Sequence, residues 1–542
     1  MPYTWQKQQQ KVRARGLWSE STVDLEFSRH AARDPEKPAV VAYRTGIAEP
    51  IRLSYGELAN LTARAAAALR ALGIGPGDIV AAQLPNWWEF VVTALAAARL
   101  GAVMNPLVPV LREYELTYML GHGGAKVLIV PQSFRGFDHA AMAMSLKETV
   151  PSLEHVIIAS GSGADGFDEV LLAGQDIVPP PSSVSASQVA PDVLSVLSFT
   201  SGTTGQPKGV MHCNNTVLAG VATLGGAFAH GPDDVFLGCS PLGHMTGYLS
   251  LMQGLCLGGT VVLQDIWQPR QGVEIMLNEG VTYISAAPVF LADICEATKP
   301  DERGSFALRN FLCSGAPIPP ALIERAIREF GFPVSSLWGM TESLAGTLTP
   351  PEMAAEKSAT SDGCPMPNVD IRIADDSGEP LPAGTTGRLL VRSPMMFMGY
   401  FKRPDITPFS DEGWFDSGDL AYTDADGYIR IAGRTKDVII RGGENVPVME
   451  IENLLMRHPD VVDAALVAFP DKRLGERACL FATVKPGARL DLDAIRAFLG
   501  EHKVAKQFWP ERVEVIPEMP RTPNGKIHKH RLREEARSYE IA

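Results

Sequence analysis

No run of about 18 uninterrupted apolar residues occurs anywhere in the 542-residue chain, which excludes a transmembrane helix. The nearest approach, residues 91–110, is cut by Arg99, Asn105, Pro106 and Pro109, and reads as a buried helix followed by a strand. The opening MPYTWQKQQQKVRARG is polar and basic without an apolar centre, so it is not expected to be a signal peptide. Paired cysteines are missing too: the seven, at 213, 239, 256, 295, 313, 364 and 479, include no CxxC. Reduced thiols and a cytoplasmic location are the expectation. The eleven histidines form neither HExxH nor a Cys/His cluster, which argues against structural zinc. An excess of positive charge is likewise lacking. The net charge of −13 disfavours a surface built for nucleic acid. From Asp437 onward 17 Lys+Arg balance 17 Asp+Glu, so the first 436 residues carry the whole −13. Within the neutral end, residues 521–537 are locally basic.

What is present is the length for three or four packing units and a regular alternation of elements. Residues 55–72 form an Ala/Leu-rich helical stripe that stops at Gly73, followed by an apolar strand over 78–83. Helix at 89–100, strand at 102–107, helix at 114–121 and strand at 126–130 continue the series. Residues 160–191, rich in Gly, Pro and Ser, read as a surface connection. Apolar strands return at 261–264, 283–286 and 310–313. From Asp370 the pattern changes to short strands and frequent turns, and from Val438 to strand, helix, strand, strand, helix. The fold class is therefore α/β: a large N-terminal domain of α/β sheet units with a small β-rich subdomain, then a compact α+β C-terminal domain.

The stretch 199–210 reads FTSGTTGQPKGV, directly after the apolar run 193–197. Glycines let backbone N–H groups approach an anion closely, hydroxyls donate to it, and a lysine adds charge. Such a loop suits phosphates, yet it is not GxxxxGK[ST]. A Gly/Ser/Thr turn by itself is usually structural; the whole string is far more specific.

The string resembles the hallmark loop of the acyl-adenylate-forming enzymes: acyl-CoA synthetases, peptide-synthetase adenylation domains and firefly-type luciferases. The resemblance continues in order from LSYGEL at 53–58 to NGK at 524–526, over essentially the whole chain. It implies that Thr200, Ser201, Gly202, Thr203, Thr204, Gly205 and Lys208 wrap the phosphates of ATP. Gly315, Ala316 and Pro317 would line the adenine, and Trp338 would stack on it. Thr341 would contact the α-phosphate, and Glu342 would hold magnesium, for which a carboxylate is a suitable hard ligand. Asp419 would accept the ribose hydroxyls and Arg434 would touch ribose or phosphate. Lys526 would stabilise charge as the carboxylate attacks, and His244 would position or gate the acid. The implied boundaries are an N-terminal domain 1–435, a hinge at Lys436 and a mobile lid 437–542, with Gly443 letting the pantetheine arm of coenzyme A pass. His212 and Cys213 read as structural, and Lys529, Arg531 and Arg533 as solvated helix charges.

By the same resemblance the acyl pocket runs past Met245, Thr246, Tyr248, Ala286, Ala287, Gly339, Met340, Ser343 and Leu344. No carboxylate appears there to pair an α-amino group, which disfavours amino acids. Acetate-activating relatives carry Trp at the position of Gly339, so Gly339 with Ala286 and Ala287 suggests room for a bulky apolar acid. The implied activity is ATP-dependent acyl-CoA formation from a small carboxylic acid, with no nucleic-acid partner and a homo-oligomer possible. Three alternatives stand beside it: an acyl-AMP ligase loading a carrier protein, a luciferase-like oxygenase and a nucleotide-binding pseudoenzyme.

Overall fold

The structure, a computed structural model, describes residues 4–174, 189–200, 207–316, 318–435, 437–441, 444–471, 473–502, 504–522 and 526–539. It divides into two compact units. The first holds Met1–Ala359, Pro365–Val369 and Arg392–Trp414; the second holds Thr360–Cys364, Asp370–Val391 and Phe415–Ala542.

The first unit is built on two sheets. In one, Val103–Pro106, Ile79–Ala82, Ala125–Pro131, His155–Ala159 and Leu194–Thr200 run parallel. Lys208–Cys213 turns back antiparallel along Leu194–Thr200 to make the edge. These parallel strands are near-continuous apolar runs because both faces are covered: Val80, Ala81, Val127 and Leu128 are fully buried. Tyr55–Ala71 shows how the sequence starts a helix here. Ser54 caps it in a reciprocal box with Glu57, and Gly73, at a φ of 85°, ends it.

In the other sheet Pro38–Tyr43, Thr260–Gln264, Val235–Gly238, Tyr283–Ala286, Asn310–Cys313 and Val334–Trp338 are parallel neighbours in that order. Its core gathers Val41, Leu237, Val262, Ile284, Phe311 and Val334 with the helical residues Val273, Leu291 and Ile323. Every strand expected from apolar runs in this unit is found within one or two residues. A short helix, Phe167–Leu171, lies inside the stretch expected to be plain connection, with Phe167 and Leu171 buried; its two apolar anchors outweigh the surrounding Gly and Ser.

The second unit opens with a four-stranded sheet of Asp370–Ala374, Gly387–Arg392, Phe415–Thr423 and Ile429–Arg434. A further sheet centres on the long antiparallel pair Val461–Asp471 and Gly475–Val484, with Arg512–Val515 joining in parallel. The β-rich segment thus groups with the terminal part, and the boundary expected at 436 falls within this unit. Lys436 itself lies outside the described residues.

Of the three cations expected to be solvated, Arg531 is exposed, but Lys529 and Arg533 are not. Lys529 Nζ is 2.7 Å from Glu452 Oε1, and Arg533 Nη1 is 2.5 Å from Asp437 Oδ1. These cations are paired and largely covered rather than solvated, because Lys529–Ala536 packs against Val461–Asp471. Among the described residues no helix is long and apolar enough to cross a membrane, and all seven cysteines are free.

Candidate active site

Open parallel sheets bind ligands outside the carboxyl ends of their strands, where successive crossovers diverge. In the second-described sheet that point lies beside Val235–Gly238, which pairs with Thr260–Gln264 on one side and Tyr283–Ala286 on the other. The chain leaving Val235–Gly238 passes His244 and enters the helix Met245–Cys256. The chain leaving Tyr283–Ala286 enters Pro288–Ala297 at Ala287. Ser240 Oγ donates to the Ser285 carbonyl at 3.0 Å and ties the two exits together. His244 caps its helix, its Nδ1 accepting from the Thr246 N–H at 3.3 Å and lying 3.2 Å from Thr246 Oγ1. Met245 and Tyr248 are buried, and burial holds the Tyr248 phenol above its usual range, so it stays protonated. Ala286 is fully buried within the sheet core, whereas Ala287 is half-buried.

The first sheet reaches over to hold this crevice. Asn86, just past the strand Ile79–Ala82, donates to the carbonyls of Gly238 (2.9 Å) and Ser240 (3.1 Å) and accepts from the Leu242 N–H (2.9 Å). All of these partners are backbone groups of the segment leading to His244. Asn86 was missed in the sequence, although its place at the carboxyl end of a parallel strand was the available signal.

Of the phosphate-type loop, Ser201, Gly202, Thr203, Thr204 and Gly205 lie outside the described residues. The flanking geometry is a hairpin in which Thr200 pairs with Lys208. Lys208 therefore begins a strand instead of sitting in the loop, and its Nζ stands 4.7 Å from the centroid of the Tyr400 ring.

Thr341 and Glu342 lie in the turn between Val334–Trp338 and Thr347–Leu348. Both Ser343 N–H (3.1 Å) and Leu344 N–H (2.7 Å) donate to the Met340 carbonyl, and Leu344 takes a φ of 57°. Glu342 is held on two sides. Tyr400 Oη donates to its Oε1 at 2.9 Å, and its carbonyl accepts from Phe397 N–H at 2.8 Å. Burial, followed by the charge of Glu342, drives the Tyr400 phenol well above its ordinary range, so it remains a donor. His212 Nε2 lies 2.7 Å from the Thr341 carbonyl oxygen. Neither Tyr400 nor this use of His212 was legible in the sequence. Ser343 is fully buried, and its Oγ has no hydrogen-bond partner among the described residues.

Gly339 overturns the expectation of open space. A β-carbon there would collide with the Leu344 carbonyl oxygen and lie 3.2 Å from Ala345 Cα. The turn's own backbone occupies the volume that the missing side chain vacates. Trp338 is buried with its ring packed on Gly346. Gly315, at a φ of 85°, has nothing within 4 Å of its β-position. Ala316 is half-buried beside it, and Pro317 lies outside the described residues.

In the second unit Asp419 and Arg434 are register partners on adjacent strands, with Arg434 Nε 3.1 Å from Asp419 Oδ1. The Lys526 carbonyl accepts from the Thr522 N–H at 2.7 Å. Gly443 lies outside the described residues. Among the described residues no group of three or more His, Cys, Asp or Glu could hold a metal on its own. A single carboxylate such as Glu342 would suit magnesium carried largely by phosphate oxygens and water.

The profile of a family described as AMP-binding enzyme matches residues 27–401, and that of its C-terminal domain matches residues 450–526. A medium-chain fatty-acid–CoA ligase of Escherichia coli (strain K12) is 34% identical, covering 96% of this chain and 92% of its own. A 3-[(3aS,4S,7aS)-7a-methyl-1,5-dioxo-octahydro-1H-inden-4-yl]propanoyl:CoA ligase of Mycobacterium tuberculosis is 33% identical, covering 95% of this chain and 98% of its own. The structure of an amide bond synthetase from Marinactinospora thermotolerans superposes with a TM-score of 0.82 at 29% identity, covering 94% of this chain and 99% of that one.

Proposed function

We propose, for a chain that belongs to the AMP-binding enzyme family and is an AMP-forming acid–CoA ligase, that its acid is bulky and apolar: alicyclic, aromatic, terpenoid or medium-chain. The general reaction is in two halves. A carboxylate and ATP give acyl-AMP and pyrophosphate, and acyl-AMP and coenzyme A then give the thioester and AMP. The observation that supports the substrate reading is that the neighbouring strands Val235–Gly238 and Tyr283–Ala286 lead into Met245–Cys256 and Pro288–Ala297, whose first turns carry no acidic residue. In this reading Met245, Tyr248, Ala287 and Leu344 line the acyl pocket. Two relatives named for a medium-chain fatty acid and a bicyclic propanoate support it. Gly339 does not, since its turn is filled.

In this reading Thr200, Lys208 and the loop between them hold the phosphates, and Thr341 meets the α-phosphate. Glu342, steadied by Tyr400, would hold magnesium, which would supply charge neutralisation for the pyrophosphate leaving group. Asp419 and Arg434 hold the ribose, their mutual ion pair keeping both oriented. The acid needs no general base, because a carboxylate is already ionised at neutral pH. His244 spends its Nδ1 capping its own helix, so its role is to shape the pocket wall. Lys526 stabilises the charge that accumulates as carboxylate oxygen and α-phosphate approach. The small terminal domain turns about Lys436 between the half-reactions, and Gly443 clears the way for the pantetheine thiol.

The test is a carboxylic-acid panel scored for acyl-CoA by mass spectrometry. Bulky apolar acids should exceed acetate, propionate and amino acids in kcat/KM; preference for acetate would overturn the reading. Likeness to an amide bond synthetase favours a second arm in which an amine replaces coenzyme A. Amide release faster than thioester release would make that the better description.

A further inference from the structure

We propose that His212 is a positioning residue for adenylation, its Nε2–H fixing the peptide plane that joins Thr341 to Glu342. The proposal rests on the reading of those two residues as phosphate and metal contacts.

The geometry begins with the hairpin. His212 lies on Lys208–Cys213, the strand that returns from the phosphate-type loop, opposite Val196. It is fully buried, and its Nε2 is 2.7 Å from the Thr341 carbonyl oxygen. A carbonyl only accepts, so Nε2 must carry the proton. Nδ1 lies 3.1 Å from Thr216 Oγ1. Burial pushes the imidazole down to about 4, so it is neutral at pH 7 and Nδ1 is a bare acceptor. The Thr216 hydroxyl accepts from the Cys213 N–H at 3.1 Å, and its one proton faces both Nδ1 and the Cys213 carbonyl oxygen, the latter at 2.9 Å. The Thr341 carbonyl thus fixes the tautomer, with the donor nitrogen aimed at Thr341.

The bonded carbonyl belongs to the peptide that links the two functional residues. Turning that plane would swing the Thr341 side chain one way and Glu342 the other. The Glu342 side is pinned by Phe397 and Tyr400; His212 pins the Thr341 side. The same strand starts at Lys208, so the imidazole also sets the distance between the loop lysine and the turn. A buried histidine that served packing alone would be replaceable by any side chain of its volume. Here the nitrogen position is the requirement.

Two variants separate these roles. His212→Gln places an amide nitrogen where Nε2 was and keeps the donor. His212→Leu keeps volume and removes the donor to the Thr341 carbonyl, while the Thr216 hydroxyl keeps its bonds to the Cys213 backbone. Acyl-AMP formation, followed as pyrophosphate release, should fall on the order of tenfold to a hundredfold in His212→Leu. The loss should lie mainly in kcat, and His212→Gln should recover most of it. Thioester formation from supplied acyl-AMP should change by less than about threefold in both. The inference is overturned if the two variants lose adenylation equally, or if both half-reactions fall together in step with a lowered melting temperature. Wild-type protein run beside them keeps the premise separate. If it releases no pyrophosphate with any acid, the reading of the site fails; if it does and His212→Leu matches it, only the role of His212 fails.

Discussion

Replacing Gly339 by alanine adds one methyl group, and the structure says where that group must go. Its β-carbon points at the Leu344 carbonyl oxygen, with the Leu344 carbonyl carbon and Ala345 Cα both at 3.2 Å. These are backbone atoms, so no rotamer change relieves the contact. The turn must open by an appreciable fraction of an ångström, yet it is closed by Gly346 N–H donating to the Trp338 carbonyl at 3.0 Å. Overpacking costs about 1–3 kcal/mol, and weakening that bond adds about 0.5–1.5 kcal/mol. A destabilisation of roughly 2–4 kcal/mol corresponds to a melting-temperature drop of several degrees in a unit of this size. Thr341 and Glu342 ride on the same turn, so every acid should lose adenylation in similar proportion. Scanning calorimetry and kcat/KM for one short and one bulky acid measure both effects. A Gly339→Ala protein that melts like wild type, and loses the bulky acid while keeping the short one, would refute the argument. It would restore Gly339 as the floor of the pocket.

Lys526→Ala should cut acyl-AMP formation on the order of a hundredfold to a thousandfold and spare thioester formation from supplied acyl-AMP; equal losses in separate half-reaction assays would contradict that division. Tyr400→Phe keeps the ring under Lys208 but removes the donor to Glu342, so the magnesium concentration for half-maximal adenylation should rise; an unchanged titration would dismiss the contact. Burial holds His212 and His230 down to about 4, against about 6.5 when exposed. The unfolded chain therefore binds more protons between those values, and stability, full above about pH 6.5, should be lost as pH falls toward 4. The size is on the order of 3 kcal/mol per histidine, and urea midpoints that do not move between pH 7.5 and 5 would rule it out. Lys529→Met leaves the buried Glu452 carboxylate uncompensated, at about 3–5 kcal/mol. Burial already raises the Glu452 carboxyl against the pull of Lys529, so that loss should shrink as pH falls and Glu452 protonates.

Which features were legible in the sequence follows from how far apart the partners lie. Apolar runs such as 261–264 and 283–286 announce buried parallel strands by themselves, and helix starts such as Ser54 with Glu57 are local. The ordered motifs from 53 to 526 brought the family with them. The failures are non-local. His212 meets Thr341 129 residues later, Tyr400 meets Glu342 58 residues earlier, and Lys529 finds Glu452 77 residues back in the chain. No spacing rule links such pairs. Lys208 was read into a loop because glycine-rich composition masks the antiparallel pairing that begins there. Gly339 misled for another reason. An absent side chain was equated with empty space, when a tight turn fills that space with its own carbonyls.

The place of Pro38–Tyr43 in its sheet sets a schedule for synthesis. Its parallel neighbour is Thr260–Gln264, with Val41 beside Val262, so 221 residues separate the partners (262 − 41). At about 5–20 residues per second a ribosome needs roughly 10–45 s to span that interval. Ile51–Ser54 can cover one edge of the early strand at once. The other edge, carrying the wholly apolar Val40, Val41 and Ala42, stays open until the middle of the sheet emerges. Nascent chains of this protein therefore spend tens of seconds with an unpaired apolar edge exposed, the interval in which a holding chaperone has most to protect.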